Sequence, residues 1–392
     1  MSKQAERPAV QDAATALNRR QFLGTGVALG ASAGILAGLG LSGCNTTPPH
    51  AAAAPAPTPT PTPAPAPAAG AGPNGGRPPI PPEPTVSQPP PLRDLQGKVA
   101  YISASSDGIG LGIARAASNA GMKVVIGYRN EARLKAALPL FKPGNPGVLP
   151  VKHDVTDRDG WARLLEQIKS QYGKLHLVVN NAGIKTLRQA SQAKYDEWDN
   201  AVAVNFTAIY NSVAVCLPHM IEHGEGGHFV TTASMGGLLP GVNAGVYTAT
   251  KIAAVGIMEA LRVELESTNI GTSVFCPGGV NTDNYVGTGE QNPFRKAPPP
   301  GAPRFTFVSM DPLEAGERVM NGVVNNDLFI LSHPEFKAGM QERYDAIMAS
   351  TPSVETPIPQ PRVDYERVVL RCGIYPREIG HRKVKRTSYR TV

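Results

Sequence analysis

Apolar residues come in short unbroken runs through the middle of the chain. Lys98-Val99-Ala100-Tyr101-Ile102, Lys123-Val124-Val125-Ile126-Gly127, Leu175-His176-Leu177-Val178-Val179, Gly227-His228-Phe229-Val230-Thr231-Thr232 and Leu328-Phe329-Ile330-Leu331 show no regular polar alternation. Such runs predict strands buried on both faces, as in a parallel sheet. Between them the apolar positions take a helical period: after the first run through Ala120, from Tyr247 past Leu265, and from Glu335 to Ala349. Asp311-Pro312-Leu313-Glu314 opens a further helix with a capping arrangement. Strands and helices taken in turn predict an α/β, doubly wound, Rossmann-type fold.

The ends follow neither pattern. Residues 45–91 hold 18 of the 38 prolines, among Ala, Thr and Gly, and carry too few large apolar groups to offset ordering entropy. The expected division is therefore a leader over 1–44, a Pro/Ala-rich disordered linker over 45–91, one catalytic domain over 92–334, and a C-terminal helix with a basic tail over 335–392. Beyond Pro352 no strong periodicity is visible.

The formal net charge is +7, but it is concentrated at the ends: +2 in 1–44, zero in 45–91 and +6 in 371–392, which leaves −1 on residues 92–370. A near-neutral body excludes a nucleic-acid-binding reading of the high pI. The run His381-Arg382-Lys383-Val384-Lys385-Arg386 reads as a solvated, disordered end, with contact to anionic lipid as the alternative. The four cysteines form no C-x-x-C pair, so neither a metal site nor a disulfide framework is supported.

Asn18-Arg19-Arg20-Gln21-Phe22-Leu23-Gly24 precedes an uncharged stretch that ends in Leu41-Ser42-Gly43-Cys44. The first motif resembles a bacterial twin-arginine export signal, departing from it at Asn18 and Gly24, and the second resembles a lipobox. The resemblance implies cleavage before Cys44, lipidation of its thiol, and an exported, membrane-anchored protein. The alternatives are an uncleaved transmembrane helix, since Phe22 to Leu41 is 20 residues and Gly26, Gly30, Gly34 and Gly38 share one face, and plain cleavage or no export. In the two anchored readings the linker acts as a spacer between bilayer and domain.

The first strand leads into Ser103-Ala104-Ser105-Ser106-Asp107-Gly108-Ile109-Gly110 and then a helix, the order used to cradle a dinucleotide pyrophosphate. The second ends at Tyr128-Arg129-Asn130. No carboxylate stands there for ribose hydroxyls, and Arg129 is suited to a 2′-phosphate, which favours NADP over NAD. Tyr247 and Lys251 are one helical turn apart on one face, thirteen residues beyond Ser234. A nearby ammonium is expected to favour the phenolate, and Ser234 to hold a substrate oxygen while Tyr247 transfers a proton.

Taken together from about Leu95 to Pro334, the glycine turn, His153-Asp154-Val155, Asn180-Asn181-Ala182-Gly183, Asn205, Ser234, Tyr247, Lys251 and Pro277-Gly278-Gly279-Val280-Asn281-Thr282 resemble the shorter branch of the short-chain dehydrogenase/reductase family. The resemblance implies a seven-stranded parallel sheet in the order 3-2-1-4-5-6-7. Asn205, Ser234, Tyr247 and Lys251 would be catalytic, with Asn205 placing a water in a proton relay through Lys251. Ser103, Ser105, Gly108, Ile109, Gly110, Arg129, Asp154, Asn181, Ala182, Gly183, Tyr247, Lys251, Pro277, Gly278, Val280 and Thr282 would line the cofactor, with Asp154 at adenine and Lys251 at the nicotinamide ribose.

The implied reaction is hydride transfer between NADP(H) and a secondary alcohol or ketone, in a homodimer or homotetramer. Met235, Leu238, Leu239, Tyr285 and Val286 point to an apolar substrate, beneath a loop over Val286 to Phe305. Ala104 departs from the family's glycine, which matters if that position needs a positive φ. The rivals are a tethered binding protein without turnover, or dehydration or epimerisation on the same scaffold.

Overall fold

The buried runs form the strands they predict, in a computed structural model that describes residues 88–143, 147–282, 309–353, 357–365, 373–384 and 386–391. The leader with Cys44, the linker through Ser87, Tyr285, Val286 and the loop after them lie outside the described residues. The strands are β1 (Val99–Ile102), β2 (Lys123–Tyr128), β3 (Val148–Lys152), β4 (Leu177–Asn180), β5 (Gly227–Thr232), β6 (Ile270–Cys276) and β7 (Phe329–Leu331). They pair in parallel in the order β3-β2-β1-β4-β5-β6-β7. In the four central strands, β1, β4, β5 and β6, every residue is buried, which is why their sequences show no polar alternation.

The helices are α1 (Gly108–Asn119), α2 (Glu131–Ala137), α3 (Arg158–Tyr172), α4 (Tyr195–Val202), α5 (Ala208–His223), α6 (Gly245–Glu264), α7 (Pro312–Val324), α8 (Lys337–Ala349), α9 (Gln360–Tyr365) and α10 (Ile374–His381). On one face of the sheet, Ile113 of α1 and Val319 and Met320 of α7 pack on Ile102, Val124 and Phe275. On the other, Trp161 of α3, Met220 of α5 and Met258 of α6 pack on Tyr101, Val178 and Phe229. The fold is thus the expected doubly wound α/β sheet, a single domain within the described residues.

The basic tail is not a solvated end. After α10, Arg386 grips both carboxylate oxygens of Asp327, while Arg382 and His381 each lie 3.3 Å from that carboxylate. Tyr389 is buried among the side chains of the α1/α7 face. Asn325 and Thr387 exchange two hydrogen bonds, and Asn321 Oδ1 accepts from Tyr389 N at 3.0 Å. His381, Arg382 and Arg386 of that run thus meet an acidic partner on the domain, more than 50 residues away in sequence.

Candidate active site

All the elements of the site leave the sheet at its carboxyl edge. There β1, β4, β5 and β6 release Ser103, Asn181, Ser234 and Pro277 into neighbouring turns. Ser103 Oγ accepts from Asn181 N and Ala182 N, both at 2.9 Å, and so ties the β1 turn to the β4 turn. Asn181 Nδ2 donates to the carbonyls of Ser103 and Ala104, and its Oδ1 accepts from Thr232. Ser105 Oγ donates to Ile102 O. The N–H groups of Ser103 and Ser105 bond to Val179 O and Gly127 O. These two serines build the turn; their polar groups are engaged within the protein.

Ala104 takes a positive φ of 48°, a backbone region that favours glycine. An alanine held there costs about 1 kcal/mol relative to glycine. The next turn residues are Gly108, whose φ is also positive, then Ile109 and Gly110 at the start of α1. Thr282 stands against Gly108, with its Cγ2 3.0 Å from where a Cβ would lie. The Pro-Gly segment therefore closes over the opening of α1.

That segment is held by a residue that sequence reasoning did not single out. His333 Nδ1 accepts from Gly278 N at 3.0 Å, and His333 Nε2 lies 3.0 Å from Gly279 O, which places the ring proton on Nε2. Pro277 O accepts from Met235 N, and Val280 is buried and pairs with Met310. Nothing local in the sequence marks His333, because its partners are over 50 residues upstream.

Asn205 sits in a π-helical turn (Ala203–Thr207) between α4 and α5. Such a turn inserts an extra residue and re-aims its side chains. The Asn205 amide accepts from Ile184 N at 2.8 Å and donates to Ile184 O and to Thr250 Oγ1. It clamps the β4 loop to α6. Gly183 leaves open the space beside Lys251 Nζ and Asn205 Oδ1, each 3.4 Å from where a Cβ would stand.

Ser234, Tyr247 and Lys251 come together. The Tyr247 ring and Ser234 Oγ both border Gly236, and Ser234 Oγ accepts from Gly236 N at 3.0 Å. Lys251 Nζ donates to Thr232 O at 2.9 Å and lies 5.7 Å from the centre of the Tyr247 ring. Burial lowers the Lys251 ammonium to about 8. Burial raises the Tyr247 phenol above its ordinary range, and Ser234 opposes that only in part. The phenol is protonated at neutral pH and ready to donate.

Two ion pairs stand just beyond the end of β2. Arg129, exposed at the end of β2, lies 3.5 Å from Asp154. Hydrogen bonds from Thr156 hold the Asp154 carboxyl below its ordinary range. Arg133 bonds Asp107 at 2.6 Å. Of the apolar candidates, Met235 and Leu238 are buried in the core rather than exposed in a pocket, and Leu239 is partly buried beside them.

A dinucleotide fits this frame: a backbone turn at a helix start, glycine space beside Lys251, and basic groups at the ribose end. The sequence profile described as short chain dehydrogenase matches residues 98–293. A C alpha-dehydrogenase of Sphingobium sp. strain SYK-6 is 29% identical over 276 residues, covering 68% of this chain and 90% of that protein. A short-chain dehydrogenase structure from Novosphingobium aromaticivorans is 31% identical with a TM-score of 0.61, covering 70% of this chain and 95% of that one. A short-chain dehydrogenase/reductase from Burkholderia phymatum in complex with NAD is 25% identical with a TM-score of 0.58, covering 68% of this chain and 99% of that one.

Proposed function

The chain belongs to the short-chain dehydrogenase family, and from that premise we propose that it interconverts an apolar secondary alcohol and its ketone with NADP(H), using Tyr247 as acid and base. The observation that carries this reading is the meeting of Ser234 Oγ and the Tyr247 ring beside Gly236, with Lys251 Nζ 5.7 Å from the ring centre. A nicotinamide bound there supplies or accepts the hydride. In the reducing direction Ser234 holds the carbonyl oxygen, and Tyr247 passes its proton to that oxygen as the carbon–oxygen π bond is lost. The Lys251 ammonium then balances the phenolate until solvent restores the proton. Asn205 acts as a positioning residue for that return, fixing α6 through Thr250. Purified protein given NADPH and a panel of ketones should turn over apolar members; no oxidation of NADPH with any ketone would defeat the reading.

The phosphate preference rests on Arg129 and on the lack of a carboxylate at the end of β2. The NAD seen with the Burkholderia phymatum relative belongs to that protein. Titration of both reduced cofactors should give tighter binding of NADPH. Equal affinities, or tighter NADH, would return Arg129 to the role of a surface residue.

Self-association through α4, α5 and α6 is part of the same proposal. It is supported by the exposed Trp198, Tyr210, Ile252 and Val263 on those helices.

The proposal extends to location: export through the twin-arginine motif, as a folded enzyme already holding its nucleotide, and anchoring through Cys44. Arg19→Lys with Arg20→Lys should retain active protein inside the cell, and Cys44→Ala should abolish acylation while leaving activity intact. Protein recovered from the exported fraction should contain nicotinamide nucleotide. Empty protein that exchanges added cofactor within seconds would overturn loaded export.

A further inference from the structure

We propose that Arg133, held in place by Asp107, is a specificity-determining residue of the nucleotide site, and that this pair sets the affinity for a phosphorylated ribose. The inference rests on the NADP(H) reading above and deepens it.

Asp107 ends the β1 turn and caps α1: its Oδ1 accepts from Gly108 N at 2.7 Å. Its second oxygen, Oδ2, takes Arg133 at 2.6 Å, with both side chains largely buried. Arg133 is itself fixed, because Asn130 Oδ1 caps its N–H at 3.0 Å at the start of α2. A cavity of about 220 Å³ opens beside the pair, lined by Ser106, Asp107, Gly108, Arg133, Asn281 and Asp311. The other basic group on its wall is Arg115.

A carboxylate favours the start of α1 but opposes an anion arriving at the same place. Like charges a few ångströms apart near a protein surface repel one another strongly. Left alone, Asp107 would therefore oppose the pyrophosphate, and a 2′-phosphate more strongly. Arg133 cancels that charge from the side of β2 and α2, where the adenosine ribose is read. Arg129 and Arg133 are four residues apart and engage Asp154 and Asp107, on the β3 and β1 turns flanking β2. Each guanidinium can exchange a carboxylate for a phosphate without crossing the sheet edge.

The test is equilibrium binding of NADPH and NADH to full-length protein, followed by nicotinamide fluorescence. Wild type is compared with Arg133→Met, Arg133→Lys, Asp107→Asn and the Asp107→Asn/Arg133→Met double variant. Asn keeps the cap, and Lys keeps the charge should methionine harm folding. Arg133→Met should weaken NADPH about tenfold or more and NADH about threefold. Arg133→Lys should stay within about threefold of wild type. Asp107→Asn should tighten NADPH, and the double variant should recover most of the loss. Added salt should shrink the gap between wild type and Arg133→Met.

An NADPH-to-NADH ratio unmoved by Arg133→Met, or a loss that Asp107→Asn does not relieve, would overturn the inference. The wild-type ratio tests the NADP(H) reading separately. A wild type preferring NADH, with a ratio that still shifts in Arg133→Met, would sink that reading and leave the pair standing.

Discussion

Replacement of Tyr247 by phenylalanine is expected to lower kcat by at least about a hundredfold, the usual scale for losing a positioned acid, while NADPH affinity changes by no more than about threefold. In the proposed mechanism the hydroxyl acts on the substrate oxygen and not on the nucleotide, so its removal should leave the nucleotide frame intact. Lys251→Met should damage both quantities, because Lys251 is buried between the Thr232 carbonyl and the Tyr247 ring, beside the space left by Gly183. The pH profile adds a second check. Burial holds the Lys251 ammonium at about 8, so the charge that balances a phenolate is present below that pH and lost above it. Ketone reduction, measured as kcat/KM, should therefore fall as pH rises through about 8. A Tyr247→Phe enzyme retaining more than about a tenth of kcat would show that another group supplies the proton.

What was readable in the sequence follows from what each residue depends on. Strands β1, β4 and β5 sit inside a doubly covered sheet, so burial alone shaped their sequences into apolar runs. Strand β3 lies at the edge and carries Pro150, and its residues are mostly half-buried; the run is correspondingly harder to see. Tyr247 and Lys251 share one helix, and their proximity is fixed by its period. The positive φ at Ala104 was foreseeable because a turn of that shape needs it whatever residue is present. His333, Thr250 and Asp107 were invisible as site residues, since each acts through partners brought near only by the fold. The burial that raises the Tyr247 phenol is invisible for a related reason: spacing reveals the lysine but not the depth of the ring. The tail misled most, because a run of basic side chains looks the same whether it meets water or a buried carboxylate.

That carboxylate is where the largest loss of stability is expected. Asp327 is 2% exposed at the start of β7, and Arg386, Arg382 and His381 converge on it. Burial would raise its carboxyl, but these partners hold it below its ordinary value. Asp327→Ala would remove charge-assisted bonds to two partly exposed arginines, a loss of about 1.5–3 kcal/mol. For a domain of this size that lowers the thermal midpoint by roughly 3–12 °C. Removal of residues 373–392 should act in the same direction, since it also uncovers the contacts of Tyr389 with the α1/α7 face. The sign with pH is that of a depressed carboxylate: its contribution is present above the unfolded-state value near 4 and is lost as pH falls through the folded one. Catalysis is a separate matter. Asp327 precedes β7 and so lies at the amino edge of the sheet, whereas Ser234, Tyr247 and Lys251 gather at the carboxyl edge. Asp327→Ala protein that remains folded at 25 °C should therefore keep its kcat within about twofold, since distant sites are close to independent. An Asp327→Ala melt within 1 °C of wild type would show that the tail rests on the domain without stabilising it. A folded Asp327→Ala enzyme with much reduced kcat would instead join the two edges of the sheet energetically.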